Sequence, residues 1–185
     1  CALPISFAIT MVASSIVSKV FASDPVQPNA NENTLNTGSN LQVAPATNNK
    51  LPVVYGRTYI GGTITDLSIT TNNQDLYYVL SICEVTGGAT PDTLSFGNIY
   101  YGGKLCVFDG TDQTKVVGLT DQSTGTTDNS VSGHLYIYLY RNGSNSPVNS
   151  STSAITVMQT SGLSYTWDAT KLMSDCAFAI VHLNY

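Results

Sequence analysis

Charged side chains are scarce in this chain of 185 residues: seven Lys and Arg and twelve Asp and Glu, 10% in all. About 25% is usual for a soluble domain. Seven cations cannot build the basic stripe that phosphate recognition requires, which excludes nucleic acid as a partner. Few carboxylates also means few groups to be disrupted by protonation, so acid exposure should be tolerated. Only Glu32 and Glu84, with His134 and His182, supplement the aspartates. No GxSxG, HExxH, Walker-type or GxGxxG pattern occurs, and both histidines lie in strand-like surroundings. No CxxC pair exists, so zinc and redox motifs are unsupported. Asp109-Gly110-Thr111-Asp112 lacks the ligand spacing and terminal Glu of a calcium loop; Asp109, Asp112, Asp121 and Asp128 read as turn formers. The expectation is no enzyme, no cofactor and no metal.

Hydroxyl and amide groups take the place of charge. Ser, Thr and Asn number 20, 23 and 15, so the surface meets water through neutral polar groups and, by extension, sugar. At 42% hydrophobic residues the chain has material for a core and is not disordered throughout.

Residues 2–21, ALPISFAITMVASSIVSKVF, are apolar, but no basic region precedes them as a signal peptide requires. Ser14, Ser15, Ser18 and Lys19 interrupt the run too early for a membrane span. Within LPISFAITMVA (3–13), Leu3, Ile5, Phe7, Ile9, Met11 and Ala13 occupy every odd position, and mostly small or polar residues fill the even ones. That period of two predicts a long β-strand with one buried face. Residues 22–50 follow with three prolines and seven asparagines, a linker or surface connection rather than a hairpin. An apolar strand detached from its domain by a polar connection must be buried somewhere, and an intermolecular groove is a natural place. The organisation read here is an arm at 1–21, a connection at 22–50 and a folded domain at 51–185.

The domain reads as all-β. Strand candidates are 52–60, 62–70, 76–85, 94–101, 104–108, 115–119, 134–140, 154–159 and 176–185, and 168–175 has room for one helical turn. Gly61-Gly62, Asn72-Asn73, Gly87-Gly88, Gly102-Gly103, Asp109-Gly110 and Asn142-Gly143 punctuate them. Short strands with frequent turns describe a sandwich, immunoglobulin-like or jelly-roll.

Four cysteines, Cys1, Cys83, Cys106 and Cys176, allow three pairings. Cys83 and Cys106, on flanking strands, are the favoured pair. Cys1, at the tip of the arm, would then reach Cys176 of another subunit, unless it is lipidated. Asn142-Gly143-Ser144 and Asn149-Ser150-Ser151 are N-glycosylation sequons in one polar loop, while Pro147 blocks Asn145-Ser146-Pro147. Eleven tyrosines, among them Tyr136, Tyr138 and Tyr140, and the single Trp167 would suit either cross-strand packing or a platform for surface carbohydrates.

The alternating arm LPISFAITMVA, ahead of a Ser/Thr/Asn-rich β-domain, resembles pilins assembled by donor-strand complementation. The low charge and the sequon-bearing loop look most like the thread filament subunit of thermoacidophilic archaea. Type IV pilins and archaella differ, since their apolar N-terminal helix usually carries an early Glu. The resemblance implies an incomplete sandwich whose groove takes a neighbour's N-terminal strand, giving an extracellular, glycosylated, head-to-tail homopolymer that serves adhesion. Leu3, Ile5, Phe7, Ile9 and Met11, with Ala13, are then the groove-filling residues. A viral capsid or spike sandwich and a monomeric sugar-binding lipoprotein are the competing classes.

Overall fold

The computed structural model describes residues 50–85 and 94–185. The arm (Leu3, Ile5, Phe7, Ile9, Met11, Ala13), Cys1 and most of the 22–50 connection lie outside them. Eight strands form among the described residues: β1 (Thr63–Ile69), β2 (Asp75–Glu84), β3 (Tyr100–Tyr101), β4 (Lys104–Phe108), β5 (Val116–Thr120), β6 (Thr127–Asp128), β7 (Leu135–Tyr140) and β8 (Cys176–Asn184). One helical turn, α1 (Ala154–Val157), interrupts the connection between β7 and β8. The class is all-β, as the turn spacing predicts. The strands make two antiparallel sheets, β1-β2-β8-β7 and β3-β4-β5-β6.

Turn chemistry sets the hairpins. Gly102 and Gly103, at φ 57 and 79°, form the two-residue loop between β3 and β4, a turn with both central φ values positive that matches strand twist. Asn73, at φ 57°, closes β1 onto β2, where Thr70 N donates to Asp75 O at 2.9 Å.

The first sheet is covered on both faces over β7 and β8, which is why β8 reads as a continuous apolar run. Cys176, Phe178 and Ile180 face one cluster with Tyr77, Val79, Tyr140 and Trp167, roofed by Ala154, Val157, Met158 and Leu163 from the 141–175 connection. Ala179 and Val181 face the second cluster, with Leu135, Ile137 and Leu139 of β7 and Cys106, Val116 and Leu119 of the second sheet.

Four expectations are corrected. AITVMQ is helical at Ala154–Val157: Ser153 caps it, its Oγ accepting from Thr156 N at 3.2 Å, and Ala154, Val157 and Met158 are buried at i, i+3 and i+4. A short apolar run carries both periods, and here the cap decides. Residues 52–60 make no ladder; Val53 forms a single bridge to Glu84, and Gly56 breaks the run at φ 72°. In 94–101 only Tyr100–Tyr101 pair as a strand. The 168–175 stretch is not helical, with Met173 and Asp175 at φ 50 and 56°.

Candidate functional site

The inter-sheet face of the first sheet is arranged in three cross-strand rows. Ile64 lies opposite Leu80, which lies opposite Ala179, then Leu139; Leu67 leads through Tyr78 and Val181 to Ile137; Ile69 leads through Leu76 and Leu183 to Leu135. Burial falls along every row from β7 to β1. Leu139, Ile137 and Leu135 are buried and the β2 members are half-buried. Ile64, Leu67 and Ile69 are 52, 56 and 37% exposed. The second sheet therefore covers the β7–β8 half of this face and leaves the β1 side bare. Of the twelve large apolar residues exposed among the described residues, seven fall between Val53 and Ile69, so the exposure is concentrated rather than scattered.

The opposite face of β1 is pinned. Ser68 Oγ donates to Tyr165 O at 2.7 Å and accepts from Tyr165 N at 3.0 Å. Asp66 Oδ2 accepts from Lys171 Nζ at 2.6 Å and from Trp167 Nε1 at 3.0 Å. The strand is thus held as a strand without help from its bare face.

The two edges of this sheet differ. Along β7, Leu139 N donates to Asn149 Oδ1 at 2.9 Å and Val148 N donates to Leu139 O at 2.8 Å. Asn149 Nδ2 donates to Ile137 O at 2.8 Å, and Ile137 N donates to Thr114 O at 2.8 Å. That edge is closed. On β1, Ser164 N donates to Ile69 O at 2.8 Å and Ile69 N to Ser164 Oγ at 3.3 Å. By antiparallel alternation Leu67 is the next residue whose backbone points outward, and among the described residues it has no outward partner. An edge that pairs no further and carries apolar side chains on one face is a template for another strand.

The remaining candidates have structural surroundings. His134 Nδ1 donates to Asn184 O at 2.8 Å. His182 lies between the rings of Tyr77 and Tyr136, at 4.1 and 5.2 Å, and donates from Nε2 to Asp75 Oδ1 at 2.7 Å. That bond, then one from Asn184, holds the Asp75 carboxyl below the usual carboxylate range. Asp109, Asp112, Asp121 and Asp128 each accept from backbone N–H groups two or three residues on, as turn formers do. Among the described residues no group of three or more His, Cys, Asp or Glu could hold a metal ion, and no helix is long and apolar enough to cross a membrane.

The expected Cys83–Cys106 disulfide is not formed. Cys83, Cys106 and Cys176 are buried free thiols; Cys83 packs with Val85 and Ala177, and Cys106 with Val116 and Leu119 in a different cluster. Flanking strands in sequence belong here to different sheets. Burial pushes the Cys106 thiol up to about 11 and raises Cys83 and Cys176 as well. The tyrosine row is not an open platform either: Tyr140 and Trp167 are buried and Tyr138 packs against their cluster. The sequon loop is more enclosed than its composition suggests. Gly143 and Ser144 are buried, and Asn149 commits both amide hydrogens, to Gln113 O and Ile137 O, so it lacks the open acceptor geometry expected of it.

Sequence reasoning missed Ile64, Leu67 and Ile69. Leu67 and Ile69 alternate in TITDLSI, but Ile64 stands three positions before Leu67 and joins their face only through the bulge between Ile64 and Asp66. Nothing local distinguishes an edge strand from a central one. No family model matches this chain, and no curated protein or solved structure shows significant similarity to it.

Proposed function

We propose that this chain is the structural subunit of an extracellular adhesive filament, an incomplete immunoglobulin-like or jelly-roll sandwich completed by the N-terminal strand of the next subunit. The observation that carries the reading is the fall in burial along all three inter-sheet rows, ending on the bare apolar side of β1 at Ile64, Leu67 and Ile69. The same chain carries the segment 3–13, with large apolar side chains at alternate positions. A strand added beside β1 satisfies its own and Leu67's backbone groups and directs its odd side chains into the bare rows. Three such side chains buried at about 1.5–3 kcal/mol each contribute roughly 5–9 kcal/mol gross, before the cost of ordering the arm.

The occupant is residues 3–13 of a second copy. Arm-to-edge contact is heterologous, so it propagates head to tail instead of closing as a dimer. N-linked sugar and neutral polar side chains then clothe the outer surface, and the filament is the unit that adheres.

The test is deletion and add-back. The chain without 2–13 should form no filaments by negative-stain microscopy and should regain thermal stability when a synthetic 2–14 peptide is added, by mass action. Phe7→Asp in that peptide should abolish the gain, because an unpaired carboxylate would enter the apolar rows; Ser6→Asp, on the other face, should not. Filaments that persist without the arm, closed shells, or equal effects of the two substitutions would overturn the proposal.

A further inference from the structure

The two sequons share a loop but differ in what the fold has done with their amides. Asn149 Nδ2 donates to Gln113 O at 2.9 Å and to Ile137 O at 2.8 Å, and its Oδ1 accepts from Leu139 N. A glycosylated amide keeps one hydrogen, so a sugar there would break one of these bonds and force its bulk against the edge of β7. Asn142 is different. Its Oδ1 accepts from Asp175 N at 3.0 Å, while its Nδ2 donates to no group among the described residues. It borders an open depression of ≈280 Å³ shared with Asn145, Leu172, Ser174 and Asp175. A secondary amide at Nδ2 leaves Oδ1 an acceptor, so the bond from Asp175 survives modification.

The third member of that sequon is enclosed. Ser144 is 1% exposed; its Oγ donates to Lys171 O at 2.7 Å and its N to Leu172 O at 2.7 Å. Gly143 N donates to Cys176 O at 3.0 Å, and at φ 78° a Cβ on Gly143 would come within 3.0 Å of Leu172 O. The sequon is defined by an Asn amide and the hydroxyl two residues on, and a transferase must engage both together. In the folded chain the hydroxyl faces inward.

We infer that Asn142, and not Asn149, carries the N-linked glycan, and that the sugar is attached before the 141–175 connection closes over Ser144. The donor is a polyprenyl-phosphate-linked oligosaccharide. Asn142 Nδ2 attacks the anomeric carbon, the C1–N bond forms, the C1–O bond breaks with its electron pair leaving on the lipid phosphate, and the amide nitrogen gives up one proton. The completed glycan rises from the depression at the β7–β8 end of the sandwich. This inference stands apart from polymerisation through the arm.

Two measurements test it on the full chain. Secreted from an N-glycosylating host beside a sequon-bearing reporter, the protein should show intact glycopeptides at Asn142 and an unmodified Asn149, and Asn142→Gln should lose the sugar. In vitro, with a purified oligosaccharyltransferase and its lipid-linked donor, the folded unmodified chain should accept sugar about tenfold more slowly, or worse, than a peptide spanning 138–152, because the site must open first. Sugar at Asn149, an unoccupied Asn142 while the reporter is glycosylated, or a folded chain that reacts as fast as the peptide would overturn it.

Discussion

Asp75 shows how a single side chain in this charge-poor protein sets a pH response. Bonds from His182 and then Asn184 lower its pKa, and turn hydrogen bonds do the same for Asp109, Asp121, Asp128 and Asp168. A carboxyl whose folded pKa is depressed adds stability above its unfolded value, about 3.9. That contribution is lost as pH falls through the folded value. The melting temperature should therefore hold between neutrality and about pH 4 and decline below it. Asp75→Asn should lower the neutral plateau and flatten the acid decline; a chain whose stability already falls between pH 7 and 5 would contradict this. The thiols are governed by burial rather than charge. Cys83, Cys106 and Cys176 should resist alkylation until the protein is unfolded, and non-reducing peptide maps should show no bridge among them. A Cys83–Cys106 peptide would refute that assignment.

The two edge strands of the first sheet are built to opposite ends, and the difference is testable by substitution. Asn149 supplies from its side chain the bonds that a further strand would give β7. Asn149→Ala leaves Leu139 N and Ile137 O without these partners, which should cost about 2–3 kcal/mol in denaturant titration and open a second edge to association. Leu67 on β1 is 56% exposed, so Leu67→Asp should shift unfolding by under about 1 kcal/mol while abolishing binding of the 2–14 peptide. Its row partner Ile137 is 3% exposed, and Ile137→Asp should prevent folding, since the carboxylate would be buried unpaired. Equal effects at the two ends of that row would mean that β1 is not the acceptor edge.

Across the whole molecule, sparse charge and a bare apolar edge favour an assembly held by burial. Screening by salt acts on charge pairs and barely on buried apolar area. Filaments should accordingly keep their length and their thermal transition from low salt to about 1 M NaCl, where the Debye length is roughly 3 Å. Disassembly by salt alone would point to ion pairing between subunits and against strand addition.

Composition and period two were enough to establish the all-β class, because side-chain alternation is a local property that any strand displays. The same local chemistry placed the Gly102-Gly103 and Asn72-Asn73 turns, where positive φ selects the residue. Local patterning was not enough at AITVMQ, where the Ser153 cap prevailed over an ambiguous apolar run, nor at 52–60, where Pro52 and Gly56 prevented a ladder. The fate of the cysteines depended on which sheet each strand joined, and strand order is a long-range property. So did the site. TITDLSI carries period two only at Leu67 and Ile69, and a bulge between Ile64 and Asp66 brings Ile64 to the same face. Only the offset of the second sheet over β7 and β8 leaves all three uncovered. Likewise the two sequons are equivalent as text, and only the fold, by closing the edge of β7 with Asn149 and leaving Asn142 Nδ2 without a partner among the described residues, makes them different.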